Sequence, residues 1–385
     1  MRRIFSGAGV YDSAHKKFVR KDVVVEDGKV CAILDVCNAK EYTDCEIVRM
    51  RNGLLIAPGL VDVHTHGRAG GDFVTADCEM LRRMRTSYLA VGVTGVMATL
   101  ASAETDQLLL AAGKIADLAQ EDKFLLGIHL EGRYLNEKKR GAHAPALLSA
   151  FMADELEVLV AAMRRAGHVH VSAALELDFD GSFAKRALDM GCSLGLAHTA
   201  ATYEQAKEAF EDGATSLTHT FNAMSPLHHR DGGAVAAAFL DESVWCELIA
   251  DGLHVSPEMV TLAYRMKKDR LVLVSDSMEA TGNGDGEYSI AGMPVTVREG
   301  RAITHDGAIA GSTLNLLDAT KNLARFADIP FETALYNSTA APARMIGAYD
   351  SIGSIETGKR ANFIVLDENF DLISTVLDGE TVYTV

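Results

Sequence analysis

The chain has 385 residues, 48% of them hydrophobic and 23% charged, which suffices for one large core or a large domain with a small companion. Lys and Arg number 37 against 53 Asp and Glu, a formal net charge of −16 that argues against nucleic acid or an anionic membrane as the general partner. Any phosphate on a substrate must therefore be met by local positive charge.

The N-terminus, MRRIFSGAGVYDS, carries two Arg but no apolar h-region, and no stretch nears the roughly 18 apolar residues of a spanning helix. The expectation is a soluble, cytoplasmic protein. Six cysteines (Cys31, Cys37, Cys45, Cys78, Cys192, Cys246) lack CxxC spacing and read as reduced, mostly buried thiols.

The first fifty residues read as strands and turns. Val23–Val25, Val30–Leu34 and Glu46–Val48 are short β-rich runs, split by Asp27–Gly28 and by Asn38. The last thirty are alike, with Ala361–Leu366 and Leu372–Val376 ahead of a turn at Asp378–Gly379. Both ends are assigned to one small β-sandwich domain, residues 1–54 with 350–385.

Residues 55–349 alternate instead. Eight apolar runs read as buried parallel strands: Leu60–His66, Gly95–Leu100, Phe124–Glu131, His170–Glu176, Ser193–His198, Thr215–Asn222, Val244–Asp251 and Leu271–Asp276. Helical stretches lie between them, at Ala76–Val91, Thr105–Ala119, Asp154–Ala166, Tyr203–Asp212 and Pro257–Lys268. The alternation fits an α/β protein with a TIM-like (β/α)8 barrel. Nearly every run ends in a metal-binding or proton-moving side chain: His64 and His66, Glu131, Glu176, His198, His219, Asp251 with His254, and Asp276. In a barrel those ends converge on one mouth.

His64 and His66, two apart on a strand, face the same side, and paired imidazoles suit Zn²⁺ or Fe²⁺. Alone, such a pair also reads as surface or capping histidines. A carboxylate at a buried strand end, as at Glu131, is costly unless paired or bound to a cation; it could equally cap a helix or pair with Arg133. His198 and His219 each read alone as core histidines, yet together with Glu131 they form a three-ligand set that leaves positions open for water and substrate. Asp276 could accept a proton from that water, or serve as a helix N-cap. In the loop Ser225–Asp231, His228, His229 and Arg230 concentrate positive charge, and Arg grips phosphate bidentately.

The segments PGLVDVHTHG, HLEG, GAHAP, LAHTAAT, THTFNAM followed by SPLHHR, DGLHV, LVSDSM and IAGSTLNL run in order from residue 58 to about 316. Together they resemble the N-acetylglucosamine-6-phosphate deacetylases of the amidohydrolase superfamily. The resemblance implies Glu131, His198 and His219 as principal metal ligands, His64 and His66 as a second pair, and Asp276 as the catalytic acid/base. It implies one or two divalent ions per subunit, Zn or Fe, with Asp276 shared if there are two. Asn222 and Ala223 match positions that touch the sugar, and Arg230 with His254 matches the phosphate grip, which involves the neighbouring subunit of a homodimer. Ala142, His143, Asp251, Ile309, Ala310 and Gly311 fall in substrate-contact segments. Arg133 replaces a usual Pro, Ala144 a usual polar residue, and HHRDGG the more usual HHREPG; these departures bear on sugar identity. The alternatives are deacetylation of an epimer such as N-acetylgalactosamine 6-phosphate, hydrolysis of a cyclic amide, and a non-catalytic sugar-phosphate sensor. Cyclic-amide enzymes often bridge two metals with a carboxylated Lys, and no Lys closes a predicted strand here.

Overall fold

In the computed structural model, which describes residues 2–36 and 45–385, the two β-rich ends join in one eight-stranded sheet. Arg2–Asp12 pairs antiparallel with Lys17–Glu26, which pairs onward with Lys29–Leu34. Glu46–Arg49 and Leu55–Pro58 join Arg2–Asp12 in parallel. Phe363–Leu366 pairs with Leu55–Pro58 and leads through Leu372–Leu377 to Glu380–Thr384. The chain therefore leaves this sheet after Pro58 and enters the barrel at Leu60. Asp27 and Gly28 have φ of 51° and 75°, and Asp378 and Gly379 48° and 79°, the mirror-image turns that match hairpin twist. The break expected at Asn38 lies outside the described residues. Phe5 and Phe363 meet edge to face at 4.8 Å in the core of this unit.

The barrel strands are β1 (Leu60–Thr65), β2 (Val93–Leu100), β3 (Leu125–Glu131), β4 (His168–Ala173), β5 (Ser193–Leu196), β6 (Ala214–Leu217), β7 (Trp245–Leu248) and β8 (Leu271–Leu273). Each pairs parallel with the next. The ring closes just beyond the strand ends, where Asp276 N donates to His64 O at 2.9 Å and His66 N to Ser277 O at 2.8 Å. Outside lie α1 (Cys78–Leu89), α2 (Thr105–Glu121), α3 (Ala153–Met163), α4 (Ser182–Asp189), α5 (Tyr203–Glu211), α6 (Gly233–Leu240), α7 (Pro257–Lys267) and α8 (Leu316–Ala327). Local chemistry sets several starts: Asp77 caps Met80 N, Thr202 and Gln205 form a capping box, and Pro257 opens α7.

Three of these helices, α4, α6 and α8, are not among the helical stretches expected from the sequence. Helix α6 buries nearly its whole surface and so shows no polar face. Helix α8 comes only after an inserted antiparallel sheet, Gly286–Ile290, Met293–Arg298 and Arg301–Thr304, that delays the last strand–helix step. Cysteine burial is also lower than expected: of the five described thiols, only Cys192 and Cys246 are buried. Cys78 opens a surface helix and is exposed.

The barrel alternates strictly where it matters. Ile128 and Leu130 join the apolar cluster shared with the helices, while His129 and Glu131 turn to the axis. The interior is accordingly polar, and below the mouth its groups bond one another: His129 bonds Thr99 and Ser172, and Ser172 bonds Thr218. Gly195 makes room for it, since a Cβ there would lie 2.8 Å from both His170 Nε2 and Thr218 Oγ1.

Candidate metal centre and substrate pocket

Strands β5, β6 and β8 end earlier than expected because His198, His219 and Asp276 have positive φ of 44°, 28° and 49°. Such backbone is unfavourable for residues with a Cβ and is retained where the surroundings impose it. It swings each side chain to the barrel mouth. Asp276 is thus no helix N-cap, and Glu131 leaves Arg133 to Glu104 and Glu155.

Two buried donor groups result, Glu131 with His198 and His219, and His64 with His66 and Asp276. In the first, Glu131 Oε1 lies 2.9 Å from His219 Nε2 and 3.3 Å from His198 Nε2, and the two nitrogens are 3.1 Å apart. In the second, His66 Nε2 is 3.2 Å and His64 Nε2 3.6 Å from Asp276 Oδ1. Glu131 Oε2 faces these same nitrogens at 3.0 and 3.3 Å. One carboxylate therefore presents an oxygen to each group.

These residues fit divalent ions. A metal holding N and O ligands at about 2.0–2.2 Å spaces neighbouring donors about 3–3.5 Å apart, the range seen here. His198 Nδ1 lies 2.8 Å from Lys139 O, which only accepts, so Nδ1 carries the hydrogen and Nε2 of the neutral ring keeps its lone pair. His64 Nδ1 donates to Glu247 Oε2 at 2.9 Å, while its buried Nε2 has no hydrogen-bond partner. Electrostatics agree. Burial works against charge on Glu131 and Asp276, but the surrounding imidazoles hold both carboxyls below their usual range. Burial likewise opposes a charged His66, yet Asp276 and Glu131 push it up to about 9. The cluster draws in positive charge.

Above the cluster opens a cavity of about 380 Å³. Of the residues singled out in the sequence, His66, Glu131, Asp276, His198, His219, Ala142, His143, Asn222, Ala223, His254, Ile309 and Gly311 line it. His64 lies fully buried beneath. Ala310 turns its side chain into the apolar core of the inserted sheet. Asp251 stands behind His254, bonding its Nδ1 at 2.6 Å. Arg230 is exposed and does not line this cavity, nor do His228 and His229. Glu176 is not at the mouth: it ties Asn136, Thr199 and Ala200 together.

A sequence model of the Amidohydrolase family matches residues 55–382. The N-acetylglucosamine-6-phosphate deacetylase of Vibrio furnissii is 34% identical, over 96% of this chain and 93% of its own. This chain belongs to the Amidohydrolase family. The N-acetylgalactosamine-6-phosphate deacetylase of Escherichia coli O157:H7 is 33% identical to this amidohydrolase, over 92% of this chain and 93% of that one. The solved N-acetylglucosamine-6-phosphate deacetylase of Thermotoga maritima superposes with a TM-score of 0.88 at 30% identity, covering 99% and 100% of the two chains. A mutant of the Mycobacterium smegmatis N-acetyl-D-glucosamine-6-phosphate deacetylase, in complex with N-acetyl-D-glucosamine-6-phosphate, gives 0.90 at 28% identity with full coverage of both.

Several residues of this amidohydrolase site escaped the sequence reading. Glu247, fully buried within β7, was hidden inside an apolar run, though a carboxylate alternating with Cys246 and Leu248 is itself a signal. Lys138 and Lys139 reach the cavity from the segment before GAHAP, and Ile290, Ala291 and Ala308 supply a wall from the inserted sheet and the loop after it. Among the described residues, no helix is long and apolar enough to cross a membrane.

Proposed function

We propose that the chain hydrolyses the acetamido group of N-acetylglucosamine 6-phosphate, giving glucosamine 6-phosphate and acetate. The observation that carries this reading is the open set Glu131, His198 and His219 beside Asp276 at the floor of a cavity. Glu131, His198 and His219 would hold one divalent ion, Zn or Fe, and His64, His66 and Asp276, with the second oxygen of Glu131, another. When bound, such an ion polarises a carbonyl and lowers the pKa of water to about 7.

The chain's own groups do the rest. Asp276 takes a proton from the attacking water and returns it to the sugar nitrogen as the C–N bond breaks. His143, beside Glu131 and pushed down to about 3 by burial and then by His198, is a neutral donor for the acyl oxygen. Asn222 and Ala223 contact the sugar. His254 meets the phosphate with Arg230 of the neighbouring subunit of a homodimer; the exposure of Arg230 outside its own cavity supports that reading. A proton carrier beside a complete ligand set speaks against a sensor, since binding alone needs no acid/base. The terminal sheet and the barrel would be two domains, 1–54 with 350–385 and 55–349, with Leu55–Pro58 carried on the terminal sheet. The protein would work in the cytoplasm.

The galactosamine epimer is the second reading, favoured by the near-equal identity to the Escherichia coli relative. Acetate release from the two epimeric N-acetylhexosamine 6-phosphates, with metal analysis of the purified protein, tests both. Turnover of neither epimer removes the proposal. For the dimer, Arg230→Ala and Asp276→Asn chains, each inactive, should regain up to about a quarter of the activity when mixed and reassembled, since half the dimers are mixed and each holds one intact site; unchanged inactivity places the grip elsewhere.

A further inference from the structure

Ser102 follows β2 and is 1% exposed. Its Oγ accepts the backbone N–H of Arg133 at 2.9 Å and lies 2.8 Å from His143 Nδ1. Its own backbone N–H points at the same Nδ1, at 3.4 Å. With a hydrogen from Arg133 already directed at the oxygen, the hydroxyl's own hydrogen is free to go to the imidazole. The backbone N–H can only donate, so Nδ1 is the acceptor and carries the lone pair, and the hydroxyl then donates to it as well. In the neutral ring the hydrogen then sits on Nε2, the nitrogen facing Glu131 Oε2 at 3.9 Å on the cavity side.

We propose that Ser102 is a positioning residue that fixes His143 as the Nε2–H tautomer, so that the ring presents a hydrogen rather than a lone pair to the reacting acyl group. The function in catalysis rests on the deacetylase reading; the tautomer does not. A ring free to choose would place its only hydrogen on Nδ1 part of the time and turn a lone pair toward the carboxylate and the developing oxyanion. Arg133 belongs to the same device. Its φ of 63° aims its N–H at Ser102, and its guanidinium bonds Ala103 O at 2.6 Å, binding the loop after β3 to the loop after β2.

The test is ¹⁵N NMR of histidine-labelled protein, read beside kinetics. In the wild type, His143 should show a protonated Nε2 and an unprotonated Nδ1. Ser102→Ala should give a mixture of tautomers and lower kcat about 10- to 100-fold, short of the roughly 10²–10³-fold of deleting an oxyanion donor, with KM within about threefold. Metal content should stay at the wild-type level. In a His143→Gln background, adding Ser102→Ala should cost less than about threefold, because the residue acts only through the ring. An Nδ1–H ring in the wild type overturns the proposal whether or not any variant folds. An unchanged tautomer in Ser102→Ala, or an equal loss in both backgrounds, overturns it too. Should the tautomer be found as stated while neither sugar phosphate is hydrolysed, the deacetylase reading fails and the assignment of the hydrogen stands.

Discussion

Glu247→Gln separates the two proposed cation positions. Glu247 is completely buried and accepts His64 Nδ1–H at 2.9 Å, while its other oxygen has no partner. A carboxylate behind a ligating imidazole orients the ring and raises its basicity. Glutamine keeps the acceptor but not the charge. A hydrogen bond to a charged group contributes about 1.5–3 kcal/mol and a neutral one about 0.5–1.5, a difference of about 1–2 kcal/mol. At about 1.4 kcal/mol per decade that is roughly a 5- to 30-fold weaker ion, at the low end of the roughly 10–100-fold known for such partners. The loss should fall on the His64, His66 and Asp276 position. Glu131, His198 and His219 meet Glu247 only through the His219 backbone N–H at 3.4 Å, so affinity there should change less than about threefold. Chelator competition fitted to two sites, with metal content by emission spectroscopy, reads both constants. Equal weakening at both positions, or none, refutes the reasoning.

Asp276→Asn should cut kcat by about 10²–10⁴-fold while the ion at Glu131, His198 and His219 stays bound; turnover within tenfold of wild type removes Asp276 from proton transfer. Burial works against a charged His254, but Asp251 at 2.6 Å outweighs it and raises the imidazole above its usual 6.5. The cation is therefore complete below about 6.5 and lost as pH rises through the higher folded value, so KM for the sugar phosphate should climb as pH rises through that raised value. In Asp251→Asn the climb should begin at lower pH, and an unmoved profile would discount His254 as the titrating group. Gly127→Ala sets a Cβ 1.9 Å from His168 O at φ 154°. It should destabilise the barrel by about 2–3 kcal/mol in urea unfolding; a change under about 0.5 kcal/mol contradicts the close approach.

Much of the barrel was legible because burial on both faces writes parallel strands as apolar runs, and all eight fall on real strands. The ligand types were legible for a related reason. Singly, His198 and His219 read as core histidines and Asp276 as a helix cap; it was their joint recurrence with Glu131 at the ends of such runs that made them stand out. Their strands nonetheless end one or more residues sooner, since left-handed backbone at those positions depends on contacts that local sequence does not encode.

Three things were decided only by the tertiary structure. Glu131 was known as a carboxylate, but that its two oxygens face different groups depends on six side chains from five segments meeting in space. Glu247 gains its meaning from His64, 183 residues away in the chain. The inserted sheet becomes a cavity wall because its apolar side packs on Met278 and Ala142, a match between surfaces that no periodicity within either segment records. Sequence determines which chemistry is available along each strand; closure of the ring determines which groups share an ion and which donate to one another.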